Sequence, residues 1–389
     1  MKKYWLLMVC FPFGVIAQDY TSFQSQLHQL RDSVVFHQFQ AQGKLPLVVE
    51  DSVAFVYRGK AKSVAWMGDF NGWGYDQSFQ NKGKNIEGNL WVLKSKFPKD
   101  ARLDYKILID DNQWILDPAN PHQQWSGVGG GSPNSELRMP LWKEAIELQT
   151  QSNVPKGSLQ TDLLFNSRIL NYQITYSVYL PHGYEKMGKL PVMYVTDGYE
   201  YLHPRLGNMV TVVDNLIAEK KIKPIAIVFV DHREPVNRSN NRRMQELAMN
   251  SAYLDFFVKE FLPEIEKKYP VATDAINRGI MGTSMGGLTA TYFAFTKPDV
   301  FGLVGIQSPA FWTKPQIYQL CANPANPKMK VSMTSGLIND TSKESRKMKD
   351  VLQANSCVYT YHEVNEGHSW GNWRNLIDDV LIDLFGTRM

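Results

Sequence analysis

The sequence predicts a mixed α/β chain in two parts, a small antiparallel β-sandwich followed by a doubly wound α/β domain, and three observations predict it. Between Ser52 and Ile109, short alternations of apolar and polar residues are separated by Gly, Asn, Asp and Pro clusters, the pattern of antiparallel strands joined by turns. From Ile174 to Tyr361, near-continuous apolar runs alternate with helical stretches, as in a largely parallel sheet covered on both faces. Third, the run Gly282-Thr283-Ser284-Met285-Gly286-Gly287 follows the apolar Gly279-Ile280-Met281 and opens into the helix-like Leu288 to Phe295. Small residues around a serine at a strand-to-helix turn write a nucleophile elbow. Together these are the marks of an α/β-hydrolase domain behind a sandwich.

Bulk properties bound the rest. A chain of 389 residues favours two domains, and 43% hydrophobic with 21% charged residues describes a globular protein with ample core. The net charge of +4, without a run of five basic residues, gives no reason to expect a nucleic-acid partner. Met1-Lys2-Lys3, the apolar Tyr4 to Ile16 and then Ala17-Gln18-Asp19 read as a secretory signal over 1–17, cleaved after Ala17. The apolar run of 13 residues is shorter than the roughly 20 that span a bilayer, so an exported protein without a membrane span, periplasmic or secreted, is expected. Cleavage removes Cys10 and leaves Cys321 and Cys357, which either pair or stay separate buried thiols. Neither has the histidine neighbours of a metal site.

Taken in order, residues 18–44 read as a helical segment, with Phe23, Leu27, Leu30, Val34 and Phe36 at helical spacing over 20–41. The sandwich occupies 45–140, with strands at Ser52 to Tyr57, Ser63 to Met67, Leu90 to Leu93 and Leu103 to Ile109. Gln124 to Pro133, with Gly127, Gly129, Gly130 and Gly131, is a loop. Residues 141–157 form a linker. The α/β-hydrolase domain then fills 158–389, with about eight strands expected, among them those ending at Leu180, Thr196, Asp231, Met281, Ile306 and Met333.

A serine hydroxyl needs a base to take its proton and a third group to hold that base in one tautomer. His368, in the turn Glu366-Gly367-His368-Ser369-Trp370 after the last strand, is the expected base for Ser284. Asp340, after the strand Met329 to Met333, is the expected acid and gives the chain order Ser, Asp, His of this fold. Asp340 as a helix cap, with Glu344 or Glu366 as the acid, is the alternative. The oxyanion needs two backbone N–H donors, one expected from Met285 and the other from Gly198 or Tyr199, after Tyr194-Val195-Thr196. This chemistry requires no metal and no organic cofactor.

Two resemblances sharpen these expectations. Gly68-Asp69-Phe70-Asn71-Gly72-Trp73, Asp104-Tyr105-Lys106 and Leu116-Asp117-Pro118-Ala119-Asn120-Pro121 resemble the early-set, immunoglobulin-like domains found beside glycogen-active enzymes and enterochelin-type esterases. The resemblance implies a sandwich that contacts glycan or walls a site; a structural cap with Trp66, Trp73 and Trp91 as core is the other reading. Leu180-Pro181-His182-Gly183-Tyr184, Arg243-Met244-Gln245-Glu246-Leu247-Ala248-Met249-Asn250, the elbow, Ile306 to Trp312, and His368 with Trp373-Arg374 resemble the esterase family, also called esterase D. That family contains enterochelin esterases, feruloyl and acetyl-xylan carbohydrate esterases and S-formylglutathione hydrolases. The R-x-x-E-L-x-x-N spacing resembles the enterochelin esterases most, although those of this two-domain layout typically lack an export signal. The resemblance implies a siderophore-ester or polysaccharide-ester substrate. Arg243, Glu246, Asn250, Trp312, Trp373 and Arg374 would shape its pocket, unless the first three are a salt-bridged brace. A non-catalytic glycan- or siderophore-binding protein on the same fold is the competitor from another class.

Overall fold

The structure is a computed structural model and describes residues 13–127, 132–323 and 329–387. Residues 1–12 of the expected export signal, Cys10 among them, lie outside the described residues, as do Gly129, Gly130 and Gly131 of the expected loop. The chain divides into two compact units, one of residues 1–123 with 135–142, the other of 124–134 with 143–389.

In the first unit the expected helix over 20–41 is two helices, Phe13–Gln29 and Ser33–Ala41. Asp32 separates them: its backbone is extended, and its carboxylate accepts the Val34 and Val35 N–H groups at 2.7 and 3.4 Å. A side chain that caps the second helix in this way cannot continue the first. The strands that follow are β1 Leu47–Val49, β2 Ser52–Arg58, β3 Val64–Gly68, β4 Lys84–Glu87, β5 Leu90–Lys96, β6 Arg102–Ile109, β7 Gln113–Ile115, β8 Gln123–Trp125 and β9 Pro133–Arg138, the last two shared with the second unit, which holds 124–134. One antiparallel sheet runs β1-β2-β5-β4; in the other β6 lies between β3 and β9 and also pairs with β7. Phe55 of β2 joins the two sheets. Its buried ring lies 6.2 Å from that of Trp66 on β3 and 5.0 Å from that of Tyr105 on β6. Phe23, Leu27, Leu30 and Phe36 of the helices pack with Ala54, Val56, Leu90 and Val92 of the first sheet. Trp66 and Trp91 are buried and Trp73 is half-buried, its indole N–H donating to Asp69 at 3.2 Å.

The second unit contains one eight-stranded sheet: β10 Ser158–Ser167, β11 Tyr172–Leu180, β12 Val192–Val195, β13 Ala226–Asp231, β14 Arg278–Thr283, β15 Leu303–Gln307, β16 Lys330–Gly336 and β17 Val358–Val364. Their order is β10-β11-β13-β12-β14-β15-β16-β17. β10, β11 and β13 pair antiparallel; from β13 to β17 every pairing is parallel. The parallel strands are apolar because both faces are covered. Met209, Val213 and Leu216 pack on one face with Val380 and Leu384, while Phe257, Phe261, Leu288, Phe293 and Leu352 pack on the other. This is the α/β-hydrolase arrangement. It gathers the loops after β12, β13, β14, β15, β16 and β17 at the carboxyl edge of the sheet, where open α/β sheets bind ligands. No described helix is long and apolar enough to cross a membrane.

Because the ring of Phe55 also meets Phe70 and Phe97 at 5.3 and 6.3 Å, Phe55→Ala removes the contact shared by both sheets. The expected cost is about 3–5 kcal/mol, read from chemical denaturation followed by tryptophan fluorescence. An unchanged transition would show that the sheets are held elsewhere.

Candidate active site

Ser284 sits between β14 and the helix Met285–Thr296 with φ 57° and ψ −115°, a region that non-glycine residues rarely occupy. The turn has no room for side chains beside it. A Cβ on Gly282 would run into Thr196 Oγ1 and lie 2.6 Å from the Gly286 carbonyl carbon, and one on Gly286 would also run into Thr196 Oγ1. The Ser284 N–H donates to the Gln307 carbonyl at 2.9 Å, and its own carbonyl accepts the Ala310 N–H at 2.9 Å.

His368 lies between β17 and the helix Trp370–Arg374. Its Nε2 is 3.0 Å from Ser284 Oγ and its Nδ1 is 2.7 Å from Asp340 Oδ1. A carboxylate at Nδ1 assigns the proton there and leaves Nε2 to accept the Ser284 hydroxyl. The Asp340 side chain is fully buried. Its other oxygen accepts from Ser308 Oγ at 2.6 Å, from the Gly336 N–H at 2.6 Å and from Asn372 Nδ2 at 3.3 Å. The structure thus brings Ser284, Asp340 and His368 into one hydrogen-bonded line, and it is Asp340, not Glu344 or Glu366, that meets the histidine.

The amides of Gly198, Tyr199 and Met285 begin helices and meet no acceptor among the described residues. Asp197, just before them, is clamped on all sides. Its carboxylate takes both nitrogens of an Arg243 fork, Nε at 2.5 Å and Nη2 at 2.9 Å. Its carbonyl accepts from the N–H groups of Glu200 and Tyr201, and its N–H donates to His232 Nε2 at 3.1 Å. Arg243 Nη2 also reaches the carbonyl of Thr283, the residue before the serine, at 3.2 Å. Behind this layer His232 Nδ1 lies 2.6 Å from Glu246 Oε2, and Tyr172 donates to Glu246 Oε1 at 2.8 Å. Burial lowers the proton affinity of His232, but Glu246 and Asp197 raise it further, so the net direction is up. The Asp197 N–H nevertheless points at Nε2 and leaves no room for a proton there, which assigns the neutral Nδ1–H tautomer.

Of the residues expected to shape a pocket, Arg243 and Trp373 line a cavity of about 500 Å³ that also contains Ser284 and His368. The Trp373 ring stands edge-on to His368 at 4.9 Å, and the half-exposed Trp312 ring lies 6.1 Å from it. Glu246 is buried in the brace behind the cavity. Asn250 caps the helix Ser251–Phe256 by accepting the Ala252 and Tyr253 N–H groups. Arg374 turns to Gln124 and the Pro204 carbonyl. Arg233 and Arg238 line the cavity too, both paired with Asp231 at 2.7 and 2.9 Å. Cys321 and Cys357 are free thiols remote from this line of residues. Sequence reasoning missed His232, Ser308, Asn372, Glu200, Arg233 and Arg238. The one local signal was that β13 ends in Asp231-His232 instead of the glycine or serine of a simple turn.

The family described as Putative esterase matches residues 167–384. The chain is similar to an endo-1,4-beta-xylanase/feruloyl esterase of Xylanibacter ruminicola, 27% identical over 237 residues, which cover 58% of this chain and 31% of that one. It is similar to an iron(III) enterobactin esterase of Escherichia coli, 23% identical over 294 residues, covering 70% of this chain and 68% of that one. Among solved structures, the enterobactin esterase of Shigella flexneri shares the fold with a TM-score of 0.69 at 19% identity, over 86% of this chain and 92% of that one.

Glu200 also lines the cavity. Burial first, and then the Asp197 carboxylate, push its carboxyl up to about 8 against the opposing charges of Arg243 and Arg233. Between an unfolded value near 4.5 and 8, the folded chain keeps a proton that the unfolded chain has lost, so this group lowers stability as pH rises through that window. Glu200→Gln, which cannot ionise, is expected to lose less thermal stability between pH 5 and pH 8 than the parent chain. Parallel losses in both would place the ionised carboxylate in the folded state at neutral pH.

Proposed function

The chain belongs to the Putative esterase family, and from that premise we propose how this carboxylic ester hydrolase works and on what. Ser284 Oγ attacks the ester carbonyl carbon while His368 Nε2 takes the hydroxyl proton. Nδ1–H remains on Asp340, which steadies the imidazolium. The negative charge on the carbonyl oxygen is met by the Met285 N–H together with that of Gly198 or Tyr199. Collapse expels the alcohol, which leaves with the proton from His368. Water then attacks the acyl-serine, gives its proton to His368 and releases the carboxylic acid, and the proton returns to Ser284. The observation that carries this reading is the line from Ser284 Oγ through His368 to Asp340, at 3.0 and 2.7 Å, opening into the cavity.

For the substrate, the reading is a siderophore ester. Three guanidinium groups, Arg233, Arg238 and Arg243, share the cavity with Asp197 and Asp231. That excess of positive charge, beside the Trp373 ring, suits an anionic aromatic ester such as a ferric catecholate. The similarity to an iron(III) enterobactin esterase supports the same choice. An ester of a hydroxycinnamic acid on polysaccharide is the second reading. The two tryptophan rings beside His368 suit a feruloyl group as well, and the feruloyl esterase relative is matched at 27% identity. The basic start and apolar run of the first residues support export to the periplasm or beyond, and the sandwich is then free to meet glycan.

The test is turnover of 4-nitrophenyl acetate, a feruloylated arabino-oligosaccharide and a ferric catecholate tri-ester by the parent chain and by Ser284→Ala. Ser284→Ala is expected to lose at least about 10⁴-fold in kcat on every ester that is turned over. A parent chain inert on all three that still binds glycan or siderophore would replace the enzyme with a binding protein. Asp340→Asn is expected to lose about 10⁴-fold in kcat because the base is left in the wrong tautomer. A loss confined to KM would remove Asp340 from this role.

A further inference from the structure

We propose that His232 is a positioning residue for oxyanion stabilisation: its Nε2 accepts the Asp197 N–H and so fixes the turn from which the next two amides, of Gly198 and Tyr199, are offered to the ester. The inference rests on the ester-hydrolase reading and adds to it the group that sets the second oxyanion donor.

The argument begins with Asp197. Its backbone is left-handed, φ 55° and ψ 35°, a conformation uncommon outside glycine, asparagine and aspartate. Three sides of it are fixed: the carboxylate by the Arg243 fork, the carbonyl by the first turn of its own helix, and the N–H by His232. The first two contacts still allow the peptide plane before Asp197 to rotate. The third does not, because the N–H must point at one buried nitrogen. That nitrogen is itself held, since Nδ1–H donates to Glu246, and Glu246 is held by the Tyr172 hydroxyl. His232 and Glu246 are both almost wholly buried, so no water replaces a lost partner. Glu246 belongs to the R-x-x-E run, and Arg243 of the same run grips the Asp197 carboxylate. One four-residue segment thus fixes the loop through its side chain directly and through its main chain by way of His232. His232 borders the cavity, but its two ring nitrogens are taken by Asp197 and Glu246, so it acts through the loop.

Two amide variants separate positioning from mere packing. In His232→Gln the side-chain oxygen reaches the place of Nε2 and still accepts the Asp197 N–H. In His232→Asn the shorter amide reaches the place of Nδ1, keeps a donor for Glu246 and leaves the Asp197 N–H without an acceptor. With 4-nitrophenyl acetate, His232→Gln is expected to keep kcat within about fivefold. His232→Asn is expected to lose about 100-fold in kcat with KM within twofold, the size of losing one oxyanion donor. Affinity for an alkyl boronic acid, which presents a tetrahedral oxyanion to the serine, should fall with kcat. Equal kcat in the two variants, whatever their thermal midpoints, or a kcat loss with boronate affinity unchanged, overturns the proposal. A parent chain without ester turnover overturns instead the reading on which it rests.

Discussion

Ser284 is held at a positive φ that costs a serine of order 1–3 kcal/mol, and much of the surrounding order exists to keep it there. The elbow closes only if backbone touches backbone. Gly282 and Gly286 lie against Thr196 with no space for a methyl group, so β12 and β14 must be neighbours, in the register that sets Val195 opposite Met281. The serine's N–H and carbonyl are then held by Gln307 and Ala310, which places β15 on the other side. The strand order at the centre of the sheet is therefore the set of neighbours that a strained serine requires.

Gln307 extends that constraint to the rest of the site. Its carbonyl accepts the Ser284 N–H, its side-chain oxygen accepts the Tyr201 hydroxyl at 2.7 Å, and its amide donates to the Trp373 carbonyl at 2.8 Å. One buried residue thereby joins the helix Gly198–Leu202, the elbow and the helix after His368. Asp340 has a matching role on the far side. It draws Ser308, Gly336 and Asn372, from three different segments, onto one carboxylate. Four hydrogen bonds to a buried carboxylate offset the desolvation that would otherwise expel it. His368 Nδ1 therefore meets a carboxylate that is itself held by three other donors.

Much of this was legible in the sequence, for a physical reason. Ser284, Asp340 and His368 each follow an apolar strand, and a parallel sheet places all such positions at one edge whatever the details of packing. The elbow was legible because sterics demand small residues at fixed offsets. The helix break at Asp32 was missed because apolar spacing continues across it, and only the capping contact ends the first helix. The roles within Arg243-x-x-Glu246 were not legible: the two residues share a short helix, yet one faces the cavity and the other a buried histidine 14 positions away in sequence. The contacts of His232, Ser308 and Asn372 were not legible because their partners are distant in the chain, and such pairings exist only after folding. Glu200 was hidden in the same way, since nothing in Tyr199-Glu200-Tyr201 reveals that Asp197 and the cavity wall will surround its carboxyl.

The charges around the cavity fit together once Glu200 is counted as a neutral acid. Arg233 and Arg238 share Asp231, Arg243 takes Asp197, and the Asp162 partner of Arg238 is largely exposed, where water screens it. Beside Glu200, the cavity lining then counts three guanidiniums against two carboxylates, an excess of one positive charge. An ionised Glu200 would cancel it. At an effective dielectric of about 20, a unit charge about 4 Å away changes an ion's energy by about 4 kcal/mol, comparable to the contribution of an oxyanion-hole donor. Burial first, and then the Asp197 carboxylate, favour the neutral form of this third carboxyl over its anion. A neutral Glu200 therefore leaves the excess of positive charge among the cavity's lining residues intact.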